Sequence, residues 1–342
     1  MHRVRRLLRL LVTALLAGSA VAGVHLPRAA AAPRGPTLDL PAPAGAEALP
    51  PPSALPLAVR FGIDPGGIAA LRLRHHPPAA GAQPRVWLDD QPQAIWRAGG
   101  HWLALIPVSY WIPPGPLPVR FAWTLGDQIL AEARFNLIVV DKAFPVDHLQ
   151  VSGSLAARRS DDRLQADAVR TQAARSRSAP EPLWDGPFAM PLGGRRSSEF
   201  GVIRMLNGTP TGRHSGLDLA APEGTPVRAA ATGRVVLADW LYVTGGTVIV
   251  DHGLGVFTSY AHLSRIAVTE GQRVRQGDVL GDVGATGFAT GPHLHWSAWV
   301  GHTPVNPEDL LHPPLADLLA SVVPRPVPAA GPARPPTLPR PL

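Results

Sequence analysis

The stretch TGPHLHW, residues 290–296, sets His293 and His295 one residue apart in a 342-residue chain that has no cysteine. In a strand, alternate side chains share a face, so the two imidazoles project to one side while Leu294 and Trp296 point to the other. The neighbouring glycines and Pro292 argue against a helix here. Upstream, RHSGLDLAAP places His214 four residues before Asp218, and in an extended segment these also share a face. Imidazole plus carboxylate suits a divalent metal of zinc type. With one imidazole of the pair added, His214, Asp218 and His295 make three protein ligands and leave the fourth tetrahedral position to water, the stoichiometry of a catalytic zinc site. His293 then sits beside the metal without binding it. The run YAHLS adds His262 on another strand-like segment.

Taken singly, HxH and HxxxD recur by chance. Here they fall together in one glycine-punctuated stretch, residues 186–312, where the β-branched runs GRVVLA, GTVIVDH and VFTSYAHL predict a compact β domain with tight turns. His252, His302 and His312 have no spacing that ties them to this cluster and read as structural. So do His75, His76 and His101, which lie among polar and turn residues.

The rest of the chain must carry and deliver this domain. Residues 1–32 combine Arg3, Arg5, Arg6 and Arg9 with a charge-free apolar run, Leu10 to Val24, and then small-residue sites, as a secretion signal does. The run is shorter than the roughly 20 residues needed to span a bilayer, and no later segment is long enough, so no transmembrane segment is expected after cleavage. Residues 33–54 are Pro/Ala-rich and read as an extended linker. Over 55–147, PVRFAWTL alternates Val119, Phe121, Trp123 and Leu125 against Arg120, Ala122 and Thr124, and ARFNLIVV repeats the pattern with Phe135, Leu137 and Val139. Half-buried strands with Gly/Pro turns predict a small antiparallel sandwich. Residues 148–185 are rich in Ala, Arg, Asp and Gln and read as a helical or mobile connector; residues 313–342 form a Pro-rich tail that cannot pack regularly. Forty prolines and 34 glycines exclude a helical bundle. The fold class expected is mostly β.

The segments HSGLDLAAPEGTPV, ATGRVV, VDHGLG, TSYAHLS and EGQRVRQGDVLGDVGATGFATGPHLHW resemble the lysostaphin-type (LytM-like) zinc metalloendopeptidases that cut the peptide part of bacterial peptidoglycan. The resemblance covers about residues 186–310. It implies a compact antiparallel β peptidase domain of lysostaphin type, one zinc ion per chain held by His214, Asp218 and His295, and a catalytic role for His262 and His293, either of which is the general base. The upstream sandwich resembles the immunoglobulin-like accessory domains of exported bacterial proteins. Where some members of the family carry a tyrosine shortly before the first ligand, this chain reads RMLNGTPTGR, with Asn207 or Arg213 as the candidate substitute. The alternative on the same fold is a non-catalytic wall-binding or hydrolase-regulating module; all five positions are filled, which argues for the enzyme.

Other classes fail on their residues. A biotinyl or lipoyl carrier needs a hairpin-tip lysine, and the only lysine is Lys142; G-x-S-x-G elbows and phosphate-binding glycine loops are absent. A net charge of +7, carried almost wholly by arginine, shows no nucleic-acid module. For a chain exported to the periplasm or cell envelope, the expected partners are the peptidoglycan peptide and anionic envelope polymers, with the chain acting as a monomer.

Overall fold

The computed structural model describes residues 37–40, 61–73, 77–98, 101–150 and 162–311. The expected signal, the Pro-rich tail, His75, His76 and His312 lie outside the described residues. Ten strands come first: β1 (Thr37–Leu40), β2 (Phe61–Ile63), β3 (Ile68–Leu73), β4 (Gln83–Leu88), β5 (Gln91–Gln93), β6 (Ile95–Ala98), β7 (His101–Pro107), β8 (Gly115–Leu125), β9 (Gln128–Val139) and β10 (Val146–Leu149). The first nine form two facing sheets, ordered β1-β3-β7-β6 and β2-β9-β8-β4-β5. Leu71, Ile106, Val86, Val119, Phe121, Trp123, Phe135, Leu137 and Val139 fill the space between them, each contributing roughly 1.5–3 kcal/mol on burial. Leu125 departs from its expected face: it ends β8 at the hairpin and is exposed. Pairing is antiparallel except for β1 with β3 and β2 with β9, which run parallel where the entering chain joins both sheet edges. Strand β1 lies inside the stretch expected to be linker.

The sheet β1-β3-β7-β6 is covered on both sides. Ala69, Leu71, Ala104 and Ile106 face the sandwich core, whereas Ile68, Ala70, Leu103 and Leu105 join the core of the C-terminal half. The unbroken apolar run in HWLALIP has this cause, since a strand buried on both faces has no reason to alternate.

After helix α1 (Asp162–Ala174), twelve strands complete the fold: β11 (Arg195–Ser198), β12 (Ile203–Leu206), β13 (Thr209–Arg213), β14 (Leu217–Ala220), β15 (Pro226–Arg228), β16 (Gly233–Leu241), β17 (Gly245–Asp251), β18 (Val256–Ile266), β19 (Arg273–Val274), β20 (Val279–Val283), β21 (His293–Val300) and β22 (Thr303–Val305). Ten of them make one antiparallel sheet whose main path is β11-β14-β21-β18-β17-β16-β19, with β15, β20 and β22 attached. The β12–β13 hairpin stands apart and takes β10 as a third, parallel strand, Val146 opposite Ile203. Among the described residues no helix is long and apolar enough to cross a membrane.

The two halves are joined by specific contacts as well as apolar area. Asn306 N–H donates to Gly66 O at 2.8 Å, the Tyr110 and Phe200 rings lie 5.2 Å apart, and Ile203 N–H donates to Pro145 O. Asp309, in the 3-10 turn Pro307–Leu310, is half-buried with its carboxyl turned in beside Gly67. Burial, reinforced by Asp64 and Glu308, pushes that carboxyl up to about 7; Lys142 and the Ile68 N–H offset this only in part. A raised folded-state value means that Asp309 stabilises most below about pH 4 and that its contribution is lost as pH rises through about 7. Asp309→Asn is therefore expected to melt close to wild type at pH 4 and on the order of 5 °C higher at pH 8. Thermal unfolding of both chains across this range checks it; parallel curves would refute the assignment.

Candidate metal centre

Strand register brings the site together. In the β14–β21 pair, Asp218 lies directly opposite His295 and Ala220 opposite His293; in the β18–β21 pair, Ala261 lies opposite His295, which sets His262 one residue further along. The period-2 rule then points His293 and His295 to one side. His214 reaches the same point by a different route from the extended segment expected. It follows the end of β13 and is tied across to the chain before β12, its N–H donating to Val202 O and its carbonyl accepting from Gly201 N–H. A bend at Gly216 then starts β14. A Cβ at Gly216 would lie 2.5 Å from Trp296 O and 2.9 Å from His295 Cε1, so this close approach demands glycine.

Three atoms converge: His214 Nε2 to Asp218 Oδ1 is 3.0 Å, His214 Nε2 to His295 Nδ1 is 3.0 Å, and His295 Nδ1 to Asp218 Oδ1 is 2.8 Å. An outer partner fixes which nitrogen of His214 carries the proton. His214 Nδ1 lies 2.7 Å from Glu199 O, a carbonyl that can only accept, so the proton sits on Nδ1 and Nε2 presents a lone pair. His295 Nε2 is 2.8 Å from Ser297 Oγ, a hydroxyl that can accept from it when Nδ1 binds a metal. Burial pushes the His214 imidazolium down to about 4, against the pull of Asp218. Burial would raise the Asp218 carboxyl, but His214 and His295 outweigh it and hold it well below the usual carboxylate range. Three buried metal-ligand atoms are thus crowded against one another, an arrangement that a cation at their centre would satisfy. A point about 2 Å from all three exists in a triangle of this size, which matches zinc bonded to imidazole and carboxylate. Among the described residues this is the only such group.

His262 and His293 flank the triangle. Their rings lie 4.7 Å apart, and His293 Nε2 is 3.9 Å from Asp218 Oδ1. Each donates its Nδ1 proton to a backbone carbonyl, His262 to Thr286 O and His293 to Gly291 O, both at 2.8 Å. The proton-accepting nitrogen of each is therefore Nε2. Burial, with His293 and His295 nearby, pushes the His262 imidazolium down to about 3, and burial lowers that of His293. Both rings are neutral at neutral pH. His262 has a φ of 64°, a left-handed conformation that costs on the order of 1–3 kcal/mol and is typical of functional sites.

The other histidines lie elsewhere. His252 is buried between Thr232 O and Thr258 Oγ1, and the chain continues to the Tyr260 hydroxyl, a satisfied structural network. Arg213 stacks its guanidinium on Phe144 and Trp111, on the sandwich side, and Asn207 sits in the β12–β13 turn with a φ of 48°. The residue that sequence reasoning missed is Arg204. It is buried in β12 and donates from Nη2 to Asp218 Oδ2 at 3.3 Å and to Ser198 Oγ at 3.0 Å. This engages the second carboxylate oxygen and leaves Oδ1 for the metal. Its signal in the sequence was a charge in phase with an apolar strand position, since Arg204 and Leu206 share the buried face of β12. Arg204→Gln is expected to weaken zinc affinity about 10- to 100-fold, measured by competition against a chromophoric chelator; unchanged affinity would remove Arg204 from the site.

Comparison with known proteins places this geometry. Residues 212–307, which span His214, Asp218, His262, His293 and His295, match Peptidase family M23. The chain is 48% identical over 120 residues to the DD-carboxypeptidase/endopeptidase Mpg of Neisseria meningitidis, a match covering 35% of this chain and 27% of that protein. It is 44% identical over 93 residues to the peptidoglycan DD-endopeptidase ShyA of Vibrio cholerae, covering 27% of this chain and 22% of that one. The matches therefore span about a quarter of these relatives' length. A crystal structure assigned to peptidase M23 from Pseudomonas aeruginosa extends the likeness: 31% identity and a TM-score of 0.55 over 72% of this chain and 93% of that one. On that nearly complete overlap, with the full set of converging donors inside the matched segment, the chain belongs to peptidase family M23.

Proposed function

We propose that this chain is an exported, monomeric zinc endopeptidase that hydrolyses peptide bonds in the stem or cross-link peptides of bacterial peptidoglycan. The observation that carries the reading is the triangle of His214, Asp218 and His295 ligand atoms at 2.8–3.0 Å beside two further imidazoles. Support for the substrate comes from the relatives named as peptidoglycan DD-endopeptidases.

His214 Nε2, Asp218 Oδ1 and His295 Nδ1 would hold the zinc ion. When bound, zinc brings the pKa of a coordinated water to about 7 and polarises the scissile carbonyl. The chain's own groups do the rest. The Nε2 lone pair of His262 or His293 takes the proton of the attacking water, and the resulting imidazolium returns it to the leaving amine. Because burial makes these imidazolium ions strong acids, the second transfer is favoured. The second imidazole can stabilise the developing oxyanion only when protonated, with its Nε2–H donating to that oxygen. The net charge of +7 draws the chain to anionic envelope polymers, with affinity that falls as salt rises.

His295→Ala is expected to lose both zinc and cleavage. His293→Ala and His262→Ala are expected to keep one zinc per chain and lose at least 100-fold in turnover. Elemental analysis of the purified full chain, alongside mass spectrometry of muropeptides digested with and without a chelator, checks this. Cleavage that survives complete metal removal would refute the zinc mechanism, and zinc retained at wild-type stoichiometry by His295→Ala would refute the ligand set.

A further inference from the structure

Helix α1 precedes the site by some 50 residues of sequence, yet it is fastened to the loop behind His262. One face of the helix makes every attachment. The Arg163 guanidinium stacks on the Tyr242 ring at 3.9 Å, Leu164 packs against Val243 and Phe288, Asp167 Oδ2 accepts from Val243 N–H at 3.0 Å, and Arg170 pairs with Asp239. Positions 163, 167, 170 and 174 follow the helical period. The Asp167 carboxylate is buried, and Tyr242 N–H is its second backbone donor.

The segment so gripped is the one that seats His262. Val243 O accepts from Phe288 N–H at 2.7 Å, and the next carbonyl, Thr244 O, accepts from His262 N–H at 2.8 Å. Thr286 closes the circuit: its hydroxyl bridges Gly246 N–H and Leu263 O, and its carbonyl takes the His262 Nδ1 proton. The packing leaves no slack. A Cβ at Gly287 would fall 2.3 Å from Val243 O, and one at Gly245 would fall 2.1 Å from Thr286 Oγ1. A left-handed φ at a non-glycine residue persists only when the surroundings over-determine it, and at His262 those surroundings are residues 243–244 and 286.

We infer that Asp167 of the connector helix is a positioning residue: by binding the Val243 N–H it fixes the loop whose Thr244 carbonyl sets the His262 backbone and whose Val243 carbonyl holds the 286–288 segment that receives the His262 ring proton. This rests on the proposed catalytic role of His262. It does not involve the zinc ligands, which hang on β14, β21 and the end of β13. The helix thus trims the reacting geometry without contributing a group to it, and misplacement of such a group by about 1 Å costs up to 100-fold in rate.

The test uses the full zinc-loaded chain with Asp167→Ala and Asp167→Asn. Alanine favours the helix but removes the acceptor, whereas the asparagine amide oxygen still accepts from Val243 N–H. Asp167→Ala is expected to keep one zinc per chain and a KM within twofold of wild type. Its kcat on muropeptides is expected to fall about tenfold or more, and the His262 ring nitrogen resonances, identified by their loss in His262→Gln, are expected to move. Asp167→Asn is expected to restore both. Wild-type kcat and unmoved His262 resonances in Asp167→Ala would overturn the inference. So would loss of zinc with loss of turnover, because the helix would then be supporting the domain as a whole. A wild-type chain that cleaves nothing, with His262 resonances still displaced by Asp167→Ala and restored by Asp167→Asn, would support the positional link and refute the hydrolase reading.

Discussion

Two imidazole nitrogens and a carboxylate oxygen within 3.0 Å of one another in a buried space call for a positive charge between them, and this constraint organises the C-terminal half of the molecule. The outward-facing nitrogen of His214 is committed to Glu199 O, which leaves its inward atom unprotonated, and that of His295 lies within hydrogen-bond reach of Ser297 Oγ. Arg204 occupies the outer oxygen of Asp218. Through these contacts the protein sets the His214 tautomer and the carboxylate orientation.

Holding such a cluster requires stiff supports, and the sheet supplies them. Asp218 and His295 are opposite each other across adjacent antiparallel strands, so their separation is fixed by the ladder itself. His214 comes from a bend instead, and its position depends on main-chain bonds to residues 201 and 202. That region is in turn braced from the N-terminal side, by β10 along β12 and by Tyr110 on Phe200. The sandwich and the metal-bearing sheet share one apolar cluster, with Ile68, Ala70, Leu103 and Leu105 set against the core of the larger sheet. The upstream half is therefore part of the framework on which the site stands.

Much of this was legible in the sequence, for reasons that can be traced residue by residue. His293 and His295 share a face because strand geometry has a period of two, and the alternating runs of β8 and β9 gave the sandwich its inward faces. What escaped were features that depend on tertiary contact. Arg204 looks like any strand arginine until β12 is laid over Asp218. The left-handed backbone of His262 has no local signature, since it is imposed by loops 243–244 and 286–288. Helix α1 reads as a solvated connector because Leu164 and Ala174 are its residues in the domain's apolar clusters, too few to give an apolar stripe, while its other attachments are polar. The burial of HWLALIP on both faces likewise depends on a second sheet closing over it.

The most direct test is to determine the first coordination shell of the zinc-loaded chain by X-ray absorption at the zinc edge together with an anomalous-scattering crystal structure. The account predicts one ion bonded at about 2.0–2.1 Å to His214 Nε2, His295 Nδ1 and Asp218 Oδ1, completed by a solvent oxygen. An ion bound elsewhere, or a closed shell in which His262 or His293 fills the fourth position, would contradict it.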